Sequence, residues 1–329
     1  MAEITLSIAL ADYDHVRDLV DGRVKPEGIS LVPLRLPVEE IFYRFTRFRE
    51  WDVSEMSFAK YVALASQPDC DLVAIPVFPS RAFRHSSIYV RSDGPVRQAS
   101  DLRGARVGVP EWAQTAAIYT RGLISDDWHI DLASIEWTQA GVNEAGRVEK
   151  VALRLPEGIR VRARPDSTLS KLLVDGELDA VLSARPPAPF TGGDGRVRRL
   201  FDDVRDVERA YWEARRVFPI MHVVAIRRAL VDRHPWIAGN LVKAFAEARN
   251  RSVARLSDVT QSAVPLPWIS QEASIARQMF GDDPWPYGIE ANRPTLETFL
   301  RYAAEQGVAH RTITPEQLFP ATVQSAVKV

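Results

Sequence analysis

The 329 residues are 46% hydrophobic, enough to bury a large core in two domains or in one domain with two lobes. Lys and Arg number 42 against 43 Asp and Glu, so no basic footprint for nucleic acid or an anionic membrane is present. Cys70 is the only cysteine, which excludes an intramolecular disulfide and a thiolate metal cage and leaves it as a small residue beside a strand.

The opening MAEITLSIALADYDHVRDL lacks a basic region ahead of its apolar stretch and carries Glu3 and Asp12 at the two ends of it, so it reads as a first strand and not as a signal peptide. No run approaches the ~18 apolar residues of a membrane span. The expectation is a soluble, cytoplasmic protein without a membrane or nucleic-acid partner.

Residues 4–10 alternate loosely as a strand, and 13–20 carry helical spacing until Asp21-Gly22 breaks it. A second strand is expected at 29–34, an amphipathic helix at 38–49, a short strand at 51–53 leading into Ser54-Glu55-Met56-Ser57, and a helix from there to about 65. The runs at 72–77 and 87–90 are apolar and β-rich and flank the loop FPSRAFRH. After a polar interval at 91–101 the alternation restarts, with strands at 105–109, 135–138, 151–153 and 180–183 and helices near 115–124 and 168–174. PPAPFTGGDG then marks a loop or a boundary, 221–226 returns to a strand, and helices at 236–255, 270–279 and 295–306 close the chain. Strands alternating with helices predict mostly parallel sheets that bind ligands beyond the carboxyl ends of their strands.

Phosphate-binding glycine signatures are absent: no Walker lysine loop and no G-x-G-x-x-G follows a strand. No His-x-x-x-His or His-Glu-x-x-His pair occurs among the six histidines, so no metal site is assigned, while a divalent metal held by His, Asp and Glu converging in space stays open. In FPSRAFRHSS (78–87) Arg81, Arg84 and His85 lie between two apolar runs. They read either as an anion clamp with a titratable neighbour or as a solvated basic turn. His222, inside the apolar FPIMHVV, reads as a core histidine or a functional one. Thr115 opens a helix, where it is a simple cap or part of an anion site at the helix N-terminus. Asp12, Glu55, Ser57 and Arg185 each come after a strand, where an α/β cleft recruits ligand contacts.

Several segments together resemble the 4,5-dihydroxyphthalate decarboxylase family: DGRVKPEGISL, DVSEMSFAKY, AIPVFPSRAFRHSSIYV, DLRGARVGVPEWAQTAA, GRVEK, VFPIMHVV, HPWIAGNL and DPWPYGIEANRPTLETFL. The resemblance implies an α/β, two-lobed type 2 periplasmic-binding-protein-like fold with a ligand cleft between the lobes. Residues 1–95 and 215–329 are expected to form lobe 1 with the C-terminal helices, and 96–214 lobe 2. It also implies a carboxy-lyase that converts 4,5-dihydroxyphthalate to 3,4-dihydroxybenzoate (protocatechuate) and CO2. No cofactor is required, because each carboxylate is para to a hydroxyl that can push electrons into the ring. On this reading His85 and His222 are the acid/base pair and Glu55 orients a histidine or accepts from the catechol. Arg81, Arg84, Asp12, Ser57, Thr115 and Arg185 bind the small aromatic dicarboxylate. A homo-oligomer is compatible with the helical last third. The competing readings are a cytoplasmic small-acid binding protein or sensor without catalysis, and another cofactor-free lyase on the same scaffold.

Overall fold

All but one of the strands and helices in the first quarter of the chain follow from their local pattern. In the computed structural model, which describes residues 3–325, β1 (Ile4–Leu10) leads through α1 (Asp14–Val20) to β2 (Ile29–Arg35). Helix α2 (Val38–Phe48) then precedes β3 (Val53–Ser57), α3 (Phe58–Ala65) and β4 (Leu72–Ile75). Helix α2 buries Ile41 and Phe45, four residues apart, and turns its Glu and Arg side chains outward. β3 is the informative departure from expectation, which sets its strand at 51–53. The ladder takes the polar residues VSEMS instead, because this strand is central, between β1 and β11, and is buried along its whole length.

The chain then crosses over. β5 (Ile88–Arg91), β6 (Arg106–Val109), α4 (Thr115–Asp126), β7 (Glu136–Gly141), β8 (Val161–Thr168), α5 (Leu169–Val174), β9 (Ala180–Leu182), α6 (Ala188–Thr191), β10 (Val197–Arg199) and α7 (Val204–Arg215) come next in order. β11 (His222–Arg227) returns to the first sheet, and α8 (Arg228–Arg233), α9 (Trp236–Ser257), α10 (Ile269–Phe280) and α11 (Arg293–Glu305) complete the order. The two sheets run β2-β1-β3-β11-β4 and β10-β5-β9-β6-β7-β8. In the first, β1 pairs in parallel with β2 and β3, and the returning β11 is antiparallel to β3 and β4. The second repeats the plan, with β6 parallel to β7 and β9, β8 parallel to β7, and β5 antiparallel to β9 and β10. β5 therefore pairs within the second sheet, although the expected lobe boundary groups residues up to 95 with the first lobe.

One other local expectation fails and two elements go unread, each for a physical reason. Residues 151–153 are irregular and not a strand, since the following Arg154 gives its N–H to Gly307 O (2.8 Å) outside any sheet. β8 is not readable as a strand because VRARPDST is charged and holds a proline, a composition that an edge strand tolerates. Helix α7 buries only Tyr211 of its twelve residues, and six of the twelve are charged, so its narrow apolar stripe of Val204, Val207 and Tyr211 is easily passed over. One apolar core runs on through both sheets, from Leu6 and Ile8 to Val107 and Trp137. Where α11 crosses α4, a Cβ at Gly122 would fall 2.2 Å from the Tyr302 ring, so only glycine permits the approach.

Candidate active site

The two crossing segments lie side by side between the sheets. Arg81 bridges Ile220 in an antiparallel pair, Ala82 N donates to Pro219 O (3.2 Å) and Met221 N to Ser80 O (2.8 Å). This pairing delivers β11 in register beside β3, with His222 opposite Ser57 and Val224 opposite Glu55. Because side chains alternate along strands, His222, Ser57 and Glu55 share one face, and His222 sits diagonally from Glu55.

Glu55 is fully buried and receives three donors. The Tyr13 hydroxyl donates to Oε1 (2.6 Å), Ala11 N–H donates to Oε2 (2.9 Å), and His222 Nδ1 lies 2.6 Å from Oε1. Burial pushes the Glu55 carboxyl up, but the hydrogen bond and charge of His222, the Tyr13 hydroxyl and the Ala11 amide together hold it below the ordinary value. Burial, with the adjacent Glu55 charge, drives the Tyr13 phenol far up and keeps it a donor. With Glu55 ionised, Nδ1 carries the hydrogen and Nε2 becomes the working nitrogen of His222, the tautomer logic of an oriented general base. The ring is held edge-on by Phe42 at 4.8 Å between centroids.

His222 and Phe42 line a cleft of about 360 Å³, a volume that suits a single-ring molecule. Its walls carry five cationic side chains, Lys60, Arg84, Arg147, Lys150 and Arg185, against two carboxylates, Glu39 and Glu111. Glu111 is buried and takes Lys60 Nζ at 2.7 Å, Arg147 Nε at 2.8 Å and Lys150 Nζ at 3.3 Å, and Lys60 also reaches Glu149 at 2.5 Å. Burial raises the Glu111 carboxyl, yet these three cations bring it below the ordinary range. Arg84 has no carboxylate partner among the described residues; its Nε contacts Met221 Sδ at 3.0 Å, and burial lowers it to about 10. The N-terminal ends of α3 and α4 open on the same cleft. Ser57, preceding α3, meets Thr115, the first residue of α4, at 3.0 Å between hydroxyls, and Thr115 Oγ1 accepts from Ala59 N–H at 3.1 Å. Free N–H groups and helix dipoles there favour an anion.

The structure therefore brings together Glu55, His222, Ser57, Arg84, Thr115 and Arg185 of the sequence-predicted residues and parts the other three from them. His85 is buried among aromatic rings, 5.2 Å from Tyr211 and 5.9 Å from Phe201 between centroids, and does not line the cleft. Burial lowers it to about 4, so it is neutral at neutral pH. Arg81 is a buried strut: it donates to Phe218 O (3.1 Å), Pro286 O (2.7 Å) and Asn292 Oδ1, and its guanidinium packs over Phe78 and Phe218. Asp12 is exposed and outside the cleft, and its neighbour Tyr13 is the residue that reaches Glu55. Sequence reasoning misses Tyr13, Lys60, Glu111, Arg147 and Lys150. A lysine in the middle of the apolar FAKYVALA is a readable signal, since a buried lysine needs a partner. The GRVEK segment holds two more cations but offers no period to place them. Among the described residues no three His, Cys, Asp or Glu side chains converge in a geometry for a metal ion, and no helix is long and apolar enough to cross a membrane.

Two mainly parallel sheets with an antiparallel return strand in each, and a cation-lined cleft at the crossing, define a two-lobed type 2 periplasmic-binding-protein-like fold. Solved structures of that fold are similar over nearly all of the chain. The aliphatic sulphonate binding protein SsuA of Escherichia coli has a TM-score of 0.55 at 13% identity, covering 98% of this chain and 99% of its own. A putative sulfonate-binding SsuA of Methylobacillus flagellatus has 0.54 at 13% identity, covering 98% and 93%. No protein-family model matches. The chain is, however, 38% identical over 327 residues to the 4,5-dihydroxyphthalate decarboxylase of Comamonas testosteroni, covering 99% of each. It is 39% identical over 215 residues to the enzyme of that name from Pseudomonas putida, covering 65% of this chain and 83% of the other. The chain belongs to the 4,5-dihydroxyphthalate decarboxylase family.

Proposed function

We propose that this protein is a carboxy-lyase that converts 4,5-dihydroxyphthalate to 3,4-dihydroxybenzoate and CO2. The observation that carries the reading is the Tyr13–Glu55–His222 relay set in the wall of a cleft whose cations outnumber its carboxylates. An aromatic dianion is matched by that charge, by Arg84, and by the N-terminal ends of α3 and α4. The ring packs against Phe42 and Met221.

Protonated His222, stabilised through Nδ1 by Glu55, gives its Nε2 proton to the ring carbon that bears one carboxylate. The hydroxyl para to that carbon feeds electrons into the ring as the carbon becomes tetrahedral. The bond to the carboxylate then breaks, its electron pair restores the aromatic ring, and CO2 leaves. One proton has entered and one CO2 has departed, so no electron-sink cofactor enters the balance. Glu55 acts by keeping the imidazole in one tautomer and compensating its charge, and Tyr13 fixes Glu55.

The test is to incubate the purified protein with 4,5-dihydroxyphthalate and quantify both products. Many equivalents of CO2 and 3,4-dihydroxybenzoate per protein are expected. Saturable binding without release of either product would return the protein to the class of small-acid binding proteins.

A further inference from the structure

The two carboxylates that line the cleft play different parts. Glu111 is buried and saturated by Lys60, Arg147 and Lys150. Glu39 projects from the first turn of α2, its side chain is 47% exposed, and it reaches residues of the segments that come after β7 and β9. Its Oε2 lies 2.9 Å from Arg185 Nη2, and its Oε1 lies 3.7 Å from Arg147 Nη1. A carboxylate set between two guanidiniums inside a cavity marks a place where a carboxylate is held. Phe42, three residues along the same helix and on the same face, is the ring that holds His222 edge-on. The place Glu39 fills is thus in the same cleft wall as the proton-transferring group.

Resting on the decarboxylase reading for the identity of the ligand, we propose that Glu39 is a tethered competitor that fills the Arg147–Arg185 subsite until one carboxylate of an aromatic dicarboxylate displaces it. A ring with a single carboxylate is met by the remaining cations of the cleft and leaves the Glu39 pairs intact. A ring with two must break them. Glu39 thereby sets the affinity for dianions without setting that for monoanions.

The experiment measures dissociation constants by calorimetry at low ionic strength for phthalate, which lacks the hydroxyls needed for turnover, and for benzoate. Glu39→Gln is expected to tighten phthalate about two- to fivefold, the size of a solvent-accessible ion pair, and to leave benzoate unchanged. In an Arg147→Gln/Arg185→Gln background the gain from Glu39→Gln should vanish. Phthalate affinity that is unchanged or weaker in Glu39→Gln overturns the proposal, as does a gain that persists without the two arginines or extends equally to benzoate, since that is a general charge effect. Turnover of 4,5-dihydroxyphthalate by the wild type with no gain in Glu39→Gln sinks the competitor alone. The gain without wild-type turnover sinks the decarboxylase reading and leaves the competitor standing.

Discussion

Residues 78–87 and 218–222 both begin Phe-Pro, both contain a histidine, and both cross between the sheets side by side. Their charges meet opposite fates. The first segment buries Arg81 among carbonyls and aromatic rings and His85 against Tyr211 and Phe201, while the second hands His222 to Glu55 at the cleft wall. The difference lies in the element that each histidine begins. His222 opens β11 and inherits the register of an interior strand, whereas His85 begins a single 3-10 turn, 85–87, and packs against the Tyr211 and Phe201 rings. A histidine becomes chemistry here when a ladder places it diagonally from a carboxylate, and filler when a turn places it among rings.

The sharpest way to break that comparison is to mutate both histidines. His222→Asn removes the proton donor and should lower kcat about 10²–10⁴-fold, the usual worth of a positioned acid/base, with the far-UV circular dichroism unchanged. His85→Leu trades a buried imidazole whose Nδ1 has no partner among the described residues for an apolar side chain, and should leave kcat/KM within about threefold of wild type. Equal losses in the two variants would show that the two crossing segments share one role. Glu55→Gln comes next. It keeps the shape and a hydrogen-bond acceptor but removes the charge that stabilises protonated His222, so kcat should fall about 100-fold. Since three donors hold the Glu55 carboxyl below the ordinary range, wild type should keep its relay ionised down through pH 5, whereas a wild-type relay that loses its Glu55 charge above pH 5, followed by infrared spectroscopy of the carboxylate, contradicts that account.

How far the sequence announces this arrangement depends on the type of signal. The sheets with apolar strands and the three long C-terminal helices are legible because their periodicity is their packing. β3 is not legible in its correct place, since Ser54, Glu55 and Ser57 look like a loop until a strand lies on each side of them. The site residues separate in the same way. Glu55, Ser57, Thr115 and Arg185 are reached by a positional rule, that ligand contacts lie just beyond strands, and that rule holds wherever the sheet end opens on the cleft. It fails at Asp12 by a single residue, because the turn after β1 points Tyr13 inward and Asp12 to solvent. Lys60 with Glu111, Arg147 and Lys150 joins residues from separate stretches of the chain, and no local pattern encodes which cation meets which carboxylate.

Arg81 should report on stability where Arg84 reports on binding. Arg81→Ala leaves Phe218 O and Asn292 Oδ1 without a donor, removes one of the two donors to Pro286 O and opens a space beside Phe78, so unfolding in urea should lose about 3–5 kcal/mol. Arg84→Ala, with no carboxylate partner to strand, should cost little stability and raise KM about tenfold, the worth of one charge-assisted contact. A stable Arg81→Ala with a raised KM would make Arg81 a substrate clamp and not a strut.

The buried imidazoles extend the contrast to acid. Burial lowers both His85 and His15 to about 4 from an unfolded value of 6.5. A histidine whose folded value is depressed binds fewer protons in the native state, so its stabilising effect is whole above pH 6.5 and is lost as the pH falls from 6.5 towards 4. Together the two should remove about 7 kcal/mol over the whole window, on the order of 1.4 per unit of difference for each group, and roughly half of that between pH 7 and pH 5. Glu55 and Glu111 act in a lower window, because their folded values lie below the ordinary 4.5 and their contribution disappears only as the pH drops through those values. Urea unfolding at pH 7 and pH 5 separates the two classes. Most of the loss over that interval belongs to the histidines, so His85→Leu should show a visibly shallower decline than wild type, while a slope identical to that of wild type means that His85 is not a buried, neutral filler and that its contrast with His222 fails.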